Sequence, residues 1–109
     1  MRIVLDECVP RRLRDEFPGH EVRTVVDLGW SGKRNGELIA LVAAAGFNLL
    51  VTVDRNIRFQ QKIAQSTITL IVLIAVSNAR EDLLPLMPKV LAAIESTVPG
   101  QVVEITAGE

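Results

Sequence analysis

Two acids stand where short apolar runs end: Asp6 after Arg2-Ile3-Val4-Leu5, and Asp54 after Leu49-Leu50-Val51-Thr52-Val53. Carboxylates brought into one crevice repel each other unless something positive binds between them. A hard divalent cation, which takes oxygen ligands, is the natural occupant. Glu37, early in a later helical segment, is a third acid within this reading, and Glu7 is a fourth if it swings in as its strand ends. A plainer reading competes at two of these positions. Helix starts favour acids even without chemistry, so Asp54 reads equally as a cap and Glu37 as a complement to the helix dipole. Asp6 precedes Pro10 by four residues and is no obvious cap.

Something must position these acids, and the runs before them read as strands. Both are short, apolar and β-branched, the pattern of strands covered on both faces in a parallel sheet. A carboxylate following such a strand lies at the carboxyl edge of the sheet, where open α/β folds bind their ligands. The rest of the chain alternates accordingly. Pro10 opens a helix running to about Phe17, and Pro18-Gly19 stops it. Glu21–Val25 alternates polar and apolar residues, which predicts a half-exposed strand nearer an edge. Asp27 to Gly32 is a turn-rich loop. Asn35 is placed to cap a buried helix through Ala45, with Gly46 as the residue that ends it. The third strand is Leu49–Val53, after which Asp54 or Asn56 caps a short helix to about Ala64. A fourth strand runs from near Thr67 to about Ile74. Ser77 and Asn78 can cap the next helical stretch, which Pro85 and Pro88 keep from being continuous. Leu83, Met87, Val90, Leu91 and Ile94 nonetheless keep a helical stripe, and Pro99-Gly100 turns the chain into a last strand, Val102–Ile105. The order βαβαβαβαβ predicts one domain over residues 1–109, a three-layer α/β sandwich on a mainly parallel central sheet.

Composition excludes several classes. Aromatic residues make up 4% of the chain, so the core is aliphatic and a broad platform for stacking bases is missing. A single cysteine, Cys8, rules out an intrachain disulfide framework and fits a reducing, cytoplasmic setting. The longest apolar run, Ile68 to Val76, spans nine residues; a membrane helix needs about 20. No signal peptide is read at the amino terminus. Cys8 reads as a packing residue, His20 as a surface residue without a second His for zinc, and Trp30 as a pin for its loop. The net charge of −1 is less informative than its distribution. Lys33, Arg34, Arg55, Arg58 and Lys62 face only Glu37 and Asp54 between residues 31 and 64, whereas acids dominate after residue 65. A basic sector therefore surrounds the candidate acids.

Three blocks, Leu5-Asp6-Glu7-Cys8-Val9-Pro10, Asn35-Gly36-Glu37-Leu38-Ile39-Ala40-Leu41 and Leu50-Val51-Thr52-Val53-Asp54-Arg55-Asn56, resemble the motif blocks of PIN-like domains. The resemblance is to a compact branch related to the toxin ribonucleases of bacterial toxin–antitoxin modules, and it covers nearly the whole chain. It implies a PIN-like, Rossmann-like topology and an Mg²⁺- or Mn²⁺-dependent endoribonuclease. Carried over by position, Asp6, Glu37 and Asp54 are the catalytic metal ligands. Thr52 orients a carboxylate, and Glu7, Asn35 and Asn56 support the site. The family's further acids have Asn35 and Asn56 in their places here. Single-stranded RNA would be gripped by Lys33, Arg34, Arg55 and Arg58. An antitoxin protein is the implied partner, with a homodimer left open. The alternative is a PIN-like domain whose degenerate site binds RNA or a protein partner without cleavage. A phosphoacceptor receiver domain also carries acids at strand ends, but it wants a Lys after a late strand. Ala75-Val76-Ser77-Asn78 and Thr106-Ala107-Gly108 supply none.

Overall fold

Alternation along each apolar run decides the architecture. Ile3 and Leu5, Leu49 and Val51, and Ile71 and Leu73 belong to one buried cluster, whereas Val4, Leu50, Leu70 and Val72 belong to another. Period-two side chains with both faces covered make a sheet sandwiched between two layers. Residues 1–56, 63–64 and 66–107 are described, from a computed structural model.

The strands are β1 (Arg2–Leu5), β2 (Glu21–Thr24), β3 (Leu49–Thr52), β4 (Thr69–Ile74) and β5 (Val102–Thr106), in the order β2-β1-β3-β4-β5. Every pairing is parallel, so the sheet is wholly rather than mainly so. The expected edge position of Glu21–Val25 is observed. One face carries α1 (Asn35–Ala44) through Leu38, Ile39 and Val42. The other carries the 3-10 turn Arg11–Glu16 through Leu13, and α2 (Arg80–Leu83) and α3 (Met87–Ile94) through Leu83, Met87, Val90 and Ile94. Among the described residues no helix is long and apolar enough to cross a membrane.

Local details depart from expectation where capping is concerned. The segment expected as a helix from Pro10 to Phe17 is instead a 3-10 helix over Arg11–Glu16. Asn35 does not cap α1: Arg34 holds the extended N-cap conformation, and Asn35 is already the first helical residue. Gly46 does end α1, at φ +83. Its N–H reaches Ala43 O at 3.1 Å and the Phe47 N–H reaches Val42 O at 3.1 Å, the paired bonds of a Schellman ending. Pro85 and Pro88 break the late helical stretch as expected, with the 3-10 turn Leu84–Leu86 between α2 and α3. The helix expected from Asp54 or Asn56 to about Ala64 lies largely outside the described residues, as do Arg58 and Lys62.

Candidate functional site

In this strand order the chain reverses direction across the sheet between β1 and β3, and ligands of doubly wound sheets bind outside the carboxyl ends at such a switch point. Leu5 pairs with Val51, and the Asp6 N–H continues the ladder to Val51 O at 2.9 Å. One step further along, Asp6 and Thr52 stand side by side. They lie two residues on from Val4 and Leu50, so period-two alternation turns both side chains toward the α1 face. There the Thr52 hydroxyl donates to Asp6 Oδ2 at 2.7 Å. The other carboxylate oxygen, Oδ1, accepts the Glu7 N–H at 2.8 Å.

Thr52 also links the second acid. Its Oγ1 accepts the Asp54 N–H at 3.0 Å, so Asp6, Thr52 and Asp54 form one connected chain of hydrogen bonds. Asp54 Oδ1 accepts the Asn56 N–H at 2.9 Å, the bond expected of a cap or an Asx-turn. Asp6 is 8% exposed. Among the described residues neither Asp6 nor Asp54 has an ion-pair partner.

The remaining sequence candidates spread along the same edge. Glu7 is exposed, and its Oε1 accepts the Gly32 N–H at 3.1 Å, which straps the loop after β2 to the end of β1. Glu37 is exposed in the first turn of α1, and among the described residues its side chain has no partner. Asn35 is half-buried beside it and Asn56 is exposed. Lys33, Arg34 and Arg55 are exposed and, among the described residues, unpaired. The structure thus connects Asp6, Thr52 and Asp54 but leaves Glu37 outside their hydrogen-bond chain. Among the described residues no three His, Cys, Asp or Glu side chains come together in a way that could hold a metal ion.

Cys8 Sγ lies 3.7 Å from Asp6 Oδ2 and 3.6 Å from Thr52 Oγ1, half-buried against the core. Burial, with a smaller push from the Asp6 charge, raises its pKa above the usual thiol range, which suits a packing residue rather than a thiolate. Trp30 pins its loop: its ring meets Phe47 edge-on at 6.3 Å between centroids.

Two residues that line the site were not singled out for it in the sequence: Arg11, and Asn78, which was read only as a cap. A cleft of about 570 Å³ opens at Asp6, and its lining includes Val9, Arg11, Thr24, Val26 and Asn78. Arg11 reaches Asp27 at 2.9 Å, and Asn78 Nδ2 donates to Cys8 O at 3.0 Å across 70 residues of sequence. The count of arginines between Pro10 and Arg14 was the available signal for the first; a side-chain bond to a distant carbonyl has none. Arg55 instead lines a separate cleft of about 730 Å³ beside Val76 and Asp82.

No family model, curated protein or solved structure matches the chain. Fold and site define a class: an α/β domain with an all-parallel sheet and a nearly buried carboxylate at its switch point.

Proposed function

We propose that the chain is a metal-dependent endoribonuclease of PIN-like type and topology, the toxin of a toxin–antitoxin pair, acting on single-stranded RNA with Mg²⁺ or Mn²⁺. One observation supports this above the others. Asp6 is 8% exposed at the switch point, and among the described residues no cation is paired with it. A carboxylate withdrawn from water without a countercharge is costly, and a bound cation removes that cost. Mg²⁺ keeps several waters and needs only one or two protein carboxylates. Asp6 and Asp54 would supply these, with Glu37 as the third acid of the resemblance. When bound, such an ion supplies an acidified water and offsets charge developing on the phosphate.

The chain's own residues do the positioning. Thr52 and the Glu7 N–H each hold one oxygen of Asp6, which fixes the carboxylate's plane. Thr52 also fixes the turn that presents Asp54. Lys33, Arg34 and Arg55 offer exposed positive charge to an RNA backbone.

A second reading is a degenerate PIN-like domain that binds RNA or a protein partner without cutting. It is favoured by the lack, among the described residues, of three converging metal-ligating side chains, and by Asn35 and Asn56 in place of acids.

The deciding experiment is cleavage of a mixed-sequence single-stranded RNA by wild type, Asp6→Asn and Asp54→Asn, each with Mg²⁺, Mn²⁺ or EDTA. Metal-dependent cleavage by wild type alone is expected. Binding without cleavage selects the second reading. Equal cleavage by all three proteins would point to a contaminating nuclease and remove the assignment.

A further inference from the structure

Glu7 follows Asp6 in the chain, yet the two carboxylates are bonded to different parts of the fold. Asp6 takes the Thr52 hydroxyl of β3 and the Glu7 N–H. Glu7 is bonded instead to the loop that leaves β2, the strand on the other side of β1. Its Oε1 accepts the Gly32 N–H at 3.1 Å, across 25 residues of sequence. The first half of that loop is well held without this bond. The Leu28 N–H reaches Thr24 O at 3.1 Å, the Gly29 N–H reaches Val26 O at 3.1 Å and the Trp30 N–H reaches Val25 O at 3.0 Å. The Trp30 ring also rests edge-on against Phe47. Beyond Trp30 the ties thin out. Among the described residues, 31–33 donate two backbone hydrogen bonds: a local one from Lys33 N–H to Trp30 O at 3.3 Å, and the one from Gly32 N–H to Glu7. No side chain caps α1, whose extended N-cap residue is Arg34. Lys33 and Arg34, both exposed, therefore lie between Gly32 and an uncapped helix start, and the Glu7 carboxylate ties their segment to β1.

We propose that Glu7 is a positioning residue and not a metal ligand: through Gly32 its carboxylate holds Lys33, Arg34 and the start of α1 to the end of β1 that carries Asp6. The Glu7 N–H fixes one oxygen of Asp6 while its side chain fixes the loop, so one residue sets both the acid and the cations that follow Gly32. Hydrogen bonds to an ionised acceptor are among the stronger ones. Ordering two cations in advance spares that cost when a polyanion binds. The direction of the effect separates a strap from a mere charge. As a charge alone, Glu7 repels RNA, and its removal tightens binding. As a strap, removal of its acceptor loosens Lys33 and Arg34 and weakens binding. Glu7→Gln removes the charge but keeps an acceptor oxygen at the same reach. The grip on RNA rests on the nuclease reading; the strap itself does not.

The first measurement needs no ligand. It is limited trypsin digestion of the folded protein, with nicks after Lys33 and Arg34 followed by mass spectrometry. Glu7→Ala should be nicked there roughly two- to tenfold faster than wild type, the size of one net hydrogen bond, because cleavage follows the open population. Glu7→Gln should stay close to wild type, and nicking elsewhere should change in neither variant. The second measurement is Mn²⁺-dependent cleavage of a mixed-sequence single-stranded RNA. Glu7→Ala should raise KM severalfold and keep kcat, the mark of lost binding common to ground and transition states. Glu7→Gln should keep both. A metal ligand behaves otherwise, with kcat falling in both variants. Equal nicking of Glu7→Ala and wild type, Glu7→Gln nicked as fast as Glu7→Ala, nicking accelerated throughout the chain, or a fall in kcat shared by both variants would each overturn the proposal. Faster nicking after Lys33 and Arg34 confined to Glu7→Ala, in a protein that cuts no RNA, keeps the strap and loses the nuclease reading.

Discussion

Thr52 stands 2.7 Å from Asp6 Oδ2 and is itself fully buried, so its hydroxyl is the main side-chain donor to a carboxylate that little water reaches. The same oxygen receives the Asp54 N–H, which makes Thr52 the hinge between the two acids. Thr52→Val keeps the shape and removes the donor. Leaving buried polar groups unsatisfied costs about 1–3 kcal/mol, and urea unfolding should show a loss of that size. Thr52→Ser keeps the hydroxyl and loses one methyl, worth about 0.8 kcal/mol. A Ser variant no more stable than the Val variant would mean that the methyl, not the hydroxyl, carries the position.

Metal should stabilise the native state through Asp6. A ligand bound only by the folded protein stabilises it by an amount that grows with the logarithm of its concentration over its dissociation constant, and the melting temperature rises accordingly. Mn²⁺ at concentrations well above its dissociation constant should therefore raise the melting temperature of wild type, and Asp6→Asn should abolish the shift. No shift in wild type at millimolar Mn²⁺ would leave only the non-catalytic reading.

Asp54 separates cap from site. Asn caps about as well as Asp, whereas Ala costs on the order of 1 kcal/mol. Its Oδ1 already bonds the Asn56 N–H, so Asp54→Ala should be destabilised with or without metal. If its charge also belongs with Asp6, removing it relieves repulsion in the metal-free protein. Asp54→Asn should then exceed wild type in EDTA and lose that advantage as Mg²⁺ or Mn²⁺ is added. A difference that ignores metal defeats the site reading at this residue.

Cys8 gives a pH dependence of known sign. Burial raises its pKa in the folded protein, so the native state holds the proton more tightly than the unfolded chain. The resulting stability is complete below the unfolded value, about 8.5, and is lost as pH rises from there through the raised native value. Unfolding midpoints in urea should fall over that alkaline window in wild type and fall less in Cys8→Ser. Identical pH profiles would show that Cys8 contributes nothing to the slope.

The sheet was legible because its signals are local. Leu49, Leu50 and Val51 announce a strand buried on both faces, and Glu21, Val22 and Arg23 announce an edge, from their own side chains. The Schellman ending at Gly46 was legible for the same reason: a left-handed residue after an apolar helix has few alternatives to glycine. What escaped depends on geometry rather than type. Nothing about Asn35 says that Arg34 will take the N-cap conformation, or that residues 11–16 will tighten to a 3-10 turn. Asp6 and Thr52 were both singled out, but their bond follows from the β1–β3 register, which a sequence does not print. Asn78 was read as a cap because its partner, Cys8 O, lies 70 residues away.

The all-parallel pairing has a consequence for the order in which this molecule is made. No two adjacent strands are joined by a hairpin, so each ladder waits for an intervening crossover to close. Such non-local contacts are the slow ones in folding. The bonds that assemble the edge span 46 residues between Asp6 and Thr52 and 70 between Cys8 and Asn78. A chain emerging from synthesis as far as β2 has Asp6 but neither Thr52 to orient it nor Asn78 to complete the cleft. These parts come together only when β3 and the segment after β4 are both present, so a chain that stops short of Asn78 lacks the complete edge.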